Sequence, residues 1–300
     1  MVKTAQALAF YLAYSTRRSV FGFIRGSRIS GRTTITRFNT STNTNNNNSN
    51  HNSNDNNNNP MSSLDIPANL QDVRQRIQLA AADHTTVRLV AVSKTKPNEL
   101  LMECYHNGQR IFGENYVQEL VEKASSMPND ITWHFIGPLQ SNKAKLLVAS
   151  VVPHAAGLVV ETVATLKLAK KLQSAMEECT TTTTTPTTQT TLKVFVQVNT
   201  SGEESKSGIE PDQIVELCRS ILDECPSLTL VGLMTIGAPG DLNCFKVLAK
   251  CRNDTLEALG LESLELSMGM SDDFPEAIAH GATNVRVGST IFGARVYTTK

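Results

Sequence analysis

Between residues 88 and 287 the chain repeats one theme, a short run of β-branched and other apolar residues followed by a helical pattern, and the number of runs decides what it can fold into. There are eight: 88–93 (RLVAVS), 110–113 (RIFG), 132–136 (TWHFI), 157–160 (GLVV), 193–198 (KVFVQV), 229–234 (TLVGLM), 263–267 (SLELS) and 284–287 (NVRV). Runs so continuously apolar indicate burial on both faces, as in a parallel sheet covered by helices. The intervening helices have readable ends. Pro97 suits a first turn, Leu100, Leu101 and Cys104 form one face, and Gly108 is a stop. Val117, Leu120, Val121 and Ala124 repeat at helical spacing, and Pro211 opens a helix whose buried stripe is Ile214, Leu217, Cys218, Ile221 and Leu222. A further helix, with Leu70, Val73, Ile77 and Ala80 on one side, precedes the first strand. Eight strand-helix units in about 230 residues fit an α/β chain folded as a (β/α)8 TIM-type barrel, usually ~250 residues, with an extra N-terminal helix. A doubly wound open sheet is the alternative, but the GxGxxG turn expected after its first strand is missing, since that strand runs into SKTKP.

Composition sets the rest of the chain apart. Residues 1–54 contain no Asp or Glu, while Lys3, Arg17, Arg18, Arg25, Arg28, Arg32 and Arg37 supply seven positive charges. Residues 1–38 therefore read as an organelle transit peptide, for the mitochondrion or another organelle, with the cytoplasm as the alternative location. The apolar stretch 5–14 also allows a secretory signal. Residues 39–62 are dominated by asparagine and form a disordered linker, unable to bury enough apolar surface to offset ordering. The barrel occupies residues 63–300, and a threonine-rich tract at 180–191 reads as a functionless loop insertion within it. Of 28 basic residues seven lie in the leader, so the body carries 21 against 28 acidic residues, a net charge of −7. An acidic body offers no electrostatic case for binding nucleic acid, and no apolar run after the leader approaches a membrane-spanning length. Six cysteines without CxxC spacing read as buried thiols, and scattered histidines give no metal-site pattern.

In a barrel of this kind ligands sit at the carboxyl ends of the strands. The first run ends at Lys94, whose amine would stand at the rim of a low-dielectric mouth. Burial favours the neutral amine, a nucleophile for aldehydes. A lysine at a strand end is otherwise more often a solvated surface charge. After the eighth run, Gly288, Ser289 and Thr290 open a short helix whose N–H groups and hydroxyls suit a phosphate, and the seventh loop adds Ser271. An ordinary capped helix would show the same residues.

AVSKTKP at 91–97, GQRIFGENYVQE at 108–119, WHFIGPLQSNK at 133–143, SKSGI at 205–209, GLMTI at 232–236, LSMGMSDDFPEAI at 266–278 and VRVGSTIFGAR at 285–295 together resemble the YggS/PROSC pyridoxal phosphate homeostasis proteins. The resemblance implies a fold-type III barrel related to the N-terminal domain of alanine racemase, with pyridoxal 5'-phosphate (PLP) as cofactor and Lys94 as the imine-forming lysine. It also implies that Ser271, Gly288 and Ser289 bind the phosphate, that Arg286 faces the pyridine nitrogen, and that Asn115 and residues 134–143 line the mouth. Lys206 matches the family's second lysine near the entrance. One departure stands out: after the fourth strand the family ends its motif in Asp, whereas this chain reads Glu161-Thr162-Val163-Ala164.

The function implied is holding PLP as a Schiff base and supplying it to PLP-dependent apoenzymes, by a monomer that is not an enzyme. The alternative is a racemase-like PLP enzyme. An arginine beside the pyridine nitrogen disfavours its protonation and weakens the ring as an electron sink. Racemases similar to this barrel add a tyrosine base from a further β-domain, and a tail carrying Tyr297 is not expected to replace one.

Overall fold

The computed structural model describes residues 64–81, 86–182, 189–203, 207–238 and 240–294. Strands β1 (Arg88–Val92), β2 (Ile111–Glu114), β3 (Thr132–Phe135), β4 (Gly157–Val163), β5 (Leu192–Gln197), β6 (Leu228–Met234), β7 (Glu265–Ser267) and β8 (Asn284–Val287) follow one another around a closed barrel. Every neighbouring pair is parallel, including β1 with β8, where Val90 faces Arg286 and Ala91 faces Val287. That register brings the residues after Val92 beside those after Val287. Sequence ends far apart in the chain therefore share one rim.

The helices are α1 (Ile66–Ala80), α2 (Asn98–His106), α3 (Val117–Ser126), α4 (Ala144–Val151), α5 (Leu166–Thr182), α6 (Ile214–Glu224), α7 (Asn243–Leu259), α8 (Phe274–Ala279) and α9 (Ser289–Phe292). The N-cap carboxylate of Asp65 accepts the Ala68 N–H at 2.9 Å, and α1 buries Ile66, Leu70, Val73 and Ile77. Asn69 donates to the Ile291 carbonyl at 3.1 Å and Arg76 stacks on Phe274, so α1 is tied to the last two helices. Trp133, Phe112, Phe135, Leu101 and Leu120 are among the largest side chains of the core. A separate group, Val159, Phe195 and Met234, is also buried. All six cysteines are buried thiols, and burial pushes those of Cys104 and Cys218 up to about 12. Among the described residues no helix is long and apolar enough to cross a membrane.

Three local readings change. Leu222 is 45 % exposed, because on a helix of 3.6 residues per turn it sits about 80° from Ile214, at the edge of the stripe. The fourth strand continues past Val160 to Val163, carrying Glu161 and Thr162 into the barrel wall. In the threonine-rich tract, α5 extends through Thr182, and Gln189 clasps the start of β4: its Oε1 accepts the Leu158 N–H and its Nε2 donates to the Leu158 carbonyl, both at 2.8 Å. The transit-peptide and linker segments at 1–62 lie outside the described residues.

Close approach of β2 and β3 at their carboxyl ends depends on Gly137. A Cβ there would stand 2.0 Å from the Asn115 carbonyl oxygen, which no side chain tolerates. Thr162 donates to the Gly137 carbonyl at 2.7 Å and extends the same seam to β4.

Candidate functional site

The chain leaves β1 through a tight turn, Ser93-Lys94-Thr95-Lys96, closed by the Lys96 N–H to the Ser93 carbonyl at 3.1 Å. Thr95 occupies its third position with φ 59°, where glycine or asparagine is the usual choice. Lys94, half-buried, is the second residue of the turn. The Lys96 ammonium reaches across the β1–β8 seam and donates to the carbonyls of Phe292, Gly293 and Ala294 at 2.7, 3.1 and 3.1 Å. A cation here suits the carboxyl end of α9, whose last carbonyls lack helical partners.

Lys94, Ser271, Arg286, Gly288 and Ser289 line one cavity of about 240 Å³ at this rim, with Val92, Ile136 and Met270 as apolar wall. The Gly288 N–H points to the Ser271 hydroxyl at 3.2 Å, so two of the phosphate-suited groups are already side by side. The Ser271 loop is itself braced: Met270 N–H donates to the Asp273 carboxylate at 2.6 Å and Arg286 N–H to the Gly269 carbonyl at 3.0 Å. Asn115, with its Oδ1 buried, lines a neighbouring groove with Tyr116, Pro138, Gln140 and Lys143 rather than this cavity.

Arg286 is 4 % exposed and its guanidinium donates to the Ser267 hydroxyl and the Thr235 carbonyl, both at 2.7 Å. The Ser267 hydroxyl in turn donates a hydrogen bond to Glu161 at 2.6 Å, and the other oxygen of Glu161 is hydrogen-bonded to His134 Nδ1. Burial lowers Arg286 from its ordinary value, with Glu161 and Asp273 working against it. Burial alone would raise Glu161, but the His134 hydrogen bond, the charges of His134 and Arg286 and the Ser267 hydroxyl hold it below the usual carboxylate range. Glu161 is thus an anion inside the barrel that fixes Arg286 through Ser267. Sequence reasoning missed it; the signal available was one acidic residue within the run GLVVETV.

A second buried carboxylate stands on the other side of Lys94. Glu114, fully buried at the end of β2, accepts from Lys123 at 2.7 Å and from Ser93 Oγ at 2.6 Å. Burial pushes its carboxyl up to about 7, with Lys123 and Ser93 opposing. A folded pKa above the ordinary 4.5 means that this group's contribution to stability is complete below about 4.5 and is lost as pH rises through about 7. Glu114→Gln should accordingly flatten the change in urea midpoint between about pH 5 and about pH 8. A variant that keeps the whole native change would place the titrating proton elsewhere.

The remaining residues of the family motifs scatter. His134 is 2 % exposed and lies with Arg88, Lys193, Phe195 and Glu265 around a larger cavity, about 390 Å³, at the amino ends of the strands, not at the mouth. Alternation explains this: His134 pairs in register with inward Val159, two residues before Glu161. The smaller cavity is the candidate site, because it holds the amine, the guanidinium and the hydroxyls at the end where barrels bind ligands. Beside Ala164, the position where the family motif ends in Asp, Thr165 caps α5, its hydroxyl accepting the Leu168 N–H at 3.2 Å. Lys206 lies outside the described residues.

Comparison with known proteins agrees with the barrel fold. The family model "Alanine racemase, N-terminal domain" matches residues 68–296. The chain is 47% identical over 258 residues to the pyridoxal phosphate homeostasis protein of Bos taurus, covering 80% of this chain and 90% of that one. It is 41% identical over 249 residues to the protein of the same name in Haemophilus influenzae, covering 79% and 98%. Among solved structures, PipY of Synechococcus elongatus with PLP bound aligns at a TM-score of 0.63 and 30% identity, covering 76% of this chain and 100% of that one.

Proposed function

Since this chain belongs to the family of the pyridoxal phosphate homeostasis proteins, whose barrel is the alanine racemase N-terminal domain, we propose that it binds PLP at the β1–β8 rim and holds it for delivery rather than for catalysis. One observation carries the reading: Lys94, Ser271, Arg286, Gly288 and Ser289, drawn from three parts of the sequence, meet in a single cavity. PLP supplies an aldehyde that combines reversibly with a primary amine, a pyridine nitrogen and a phosphate ester. The donor set fits each part. Lys94 supplies the amine for a Schiff base, and the Ser271 and Ser289 hydroxyls with the Gly288 N–H hold the phosphate.

Arg286 argues for storage. Its guanidinium has donors only and remains charged, so beside the pyridine nitrogen it disfavours protonation there and restrains the ring's ability to take up electrons. Glu161 and Ser267 keep it in that orientation. The protein then acts as a monomeric reservoir from which PLP-dependent apoenzymes are supplied, and residues 1–38 direct it to an organelle, a role testable by fusing them to a fluorescent reporter.

Titration of purified protein with PLP should give a saturable visible band with one equivalent bound. Incubation of the loaded protein with L-amino acids, followed by chiral chromatography, should show no racemisation beyond that of free PLP. Protein that stays colourless would end the cofactor reading, and fast racemisation lost in Lys94→Ala would replace the reservoir with a racemase.

A further inference from the structure

We propose that Glu119 and Lys123 are positioning residues that hold the Ser93–Lys96 turn in its strained form and so fix the direction of Lys94, an inference that rests on the cofactor reading above. Both lie one turn apart on α3. The Lys123 ammonium donates to the Ser93 carbonyl at 2.8 Å, to Glu114 at 2.7 Å and to Glu119 at 2.6 Å, so its three hydrogens are all engaged. The same Glu119 oxygen accepts the Thr95 N–H at 2.7 Å.

These bonds fall on two particular peptide groups. The Ser93 carbonyl belongs to the peptide before Lys94 and the Thr95 N–H to the peptide after it. With both planes held, φ and ψ of Lys94 are fixed, and with them the direction in which its side chain leaves the backbone. The turn needs such holding. Thr95 is β-branched and sits at φ 59°, a conformation it does not take unaided.

The charges are also poorly explained by stability. Lys123 and Glu114 are 6% and 0% exposed at their side chains, and a buried ion cluster adds little over well-packed apolar residues of the same volume. What the cluster supplies is geometry, two peptide groups pinned from one helix face.

Three variants decide the matter: Glu119→Ala, Thr95→Gly, and the two combined. In the cofactor-free protein, Glu119→Ala should speed hydrogen exchange of the Thr95 amide about tenfold, because the amide loses its acceptor. Loaded with PLP and challenged with an excess of an aldehyde-trapping hydroxylamine, the same variant should release the cofactor about fivefold faster, as an amine that is no longer preorganised binds less tightly. Glycine adopts positive φ without strain, so Thr95→Gly in the Glu119→Ala background should bring release back toward the native rate. That rescue separates positioning from general loosening, which a glycine would worsen. Unchanged Thr95 exchange in Glu119→Ala, unchanged release, or faster release that Thr95→Gly does not correct would each overturn the proposal. If native protein takes up no PLP, the cofactor reading fails, and the exchange arm alone still decides whether the clamp exists.

Discussion

Lys94→Ala protein mixed with PLP should remain without the visible band of the native protein, its affinity falling by about a hundredfold or more, ~3 kcal/mol. The replacement removes the amine at the second position of the turn and leaves Ser271, Gly288 and Ser289, the groups proposed to hold the phosphate, in place. Lys96 is two residues away and lines the same cavity, but its ammonium already donates to three carbonyls at the end of α9. Moving it would uncover those carbonyls. Borohydride reduction of loaded native protein followed by peptide mass spectrometry should place the pyridoxyl group on Lys94. A group found on Lys96 or Lys206 alone would show that the anchor has been misassigned.

Glu161→Ala should cost about 3–5 kcal/mol, because it strips a buried carboxylate from between a guanidinium and an imidazole and leaves the charge of Arg286 uncompensated. For a barrel of this size that corresponds to a fall in melting temperature of roughly 10 °C. Ser267 loses its acceptor and Arg286 the partner that orients it, so PLP affinity should fall as well. Thermal unfolding followed by circular dichroism checks the first effect. A shift within ordinary scatter, of the kind seen on replacing an exposed glutamate, would mean that Arg286 does not depend on this anion.

The barrel was legible because its strands are hidden on both faces, so that RLVAVS, TWHFI or KVFVQV carry no polar alternation to confuse with a helix. The same rule hid the inner carboxylate. Glu161 breaks an apolar run, and reading the strand as finished at Val160 put an acidic residue in a loop, where it needs no partner. Only the positions of His134 and Ser267 on other strands reveal why an anion is tolerated there. Five of the six candidate ligands meet in one cavity because each follows the carboxyl end of a strand or lies on β8, a relation fixed by topology. Asn115 obeys the same rule yet lies in the next groove, where its backbone is packed against Gly137. Thr95 could not be foreseen, since nothing in SKTKP announces a positive φ without a glycine.

The pairing of β1 with β8 has a consequence for biosynthesis. The amine comes from residue 94 and the guanidinium from residue 286, so the proposed pocket cannot exist on a nascent polypeptide until its eighth strand has been made. Ligand capture must therefore wait for the eighth strand, and a chain interrupted before it keeps the amine of Lys94 but lacks Arg286, Gly288 and Ser289 to complete the pocket.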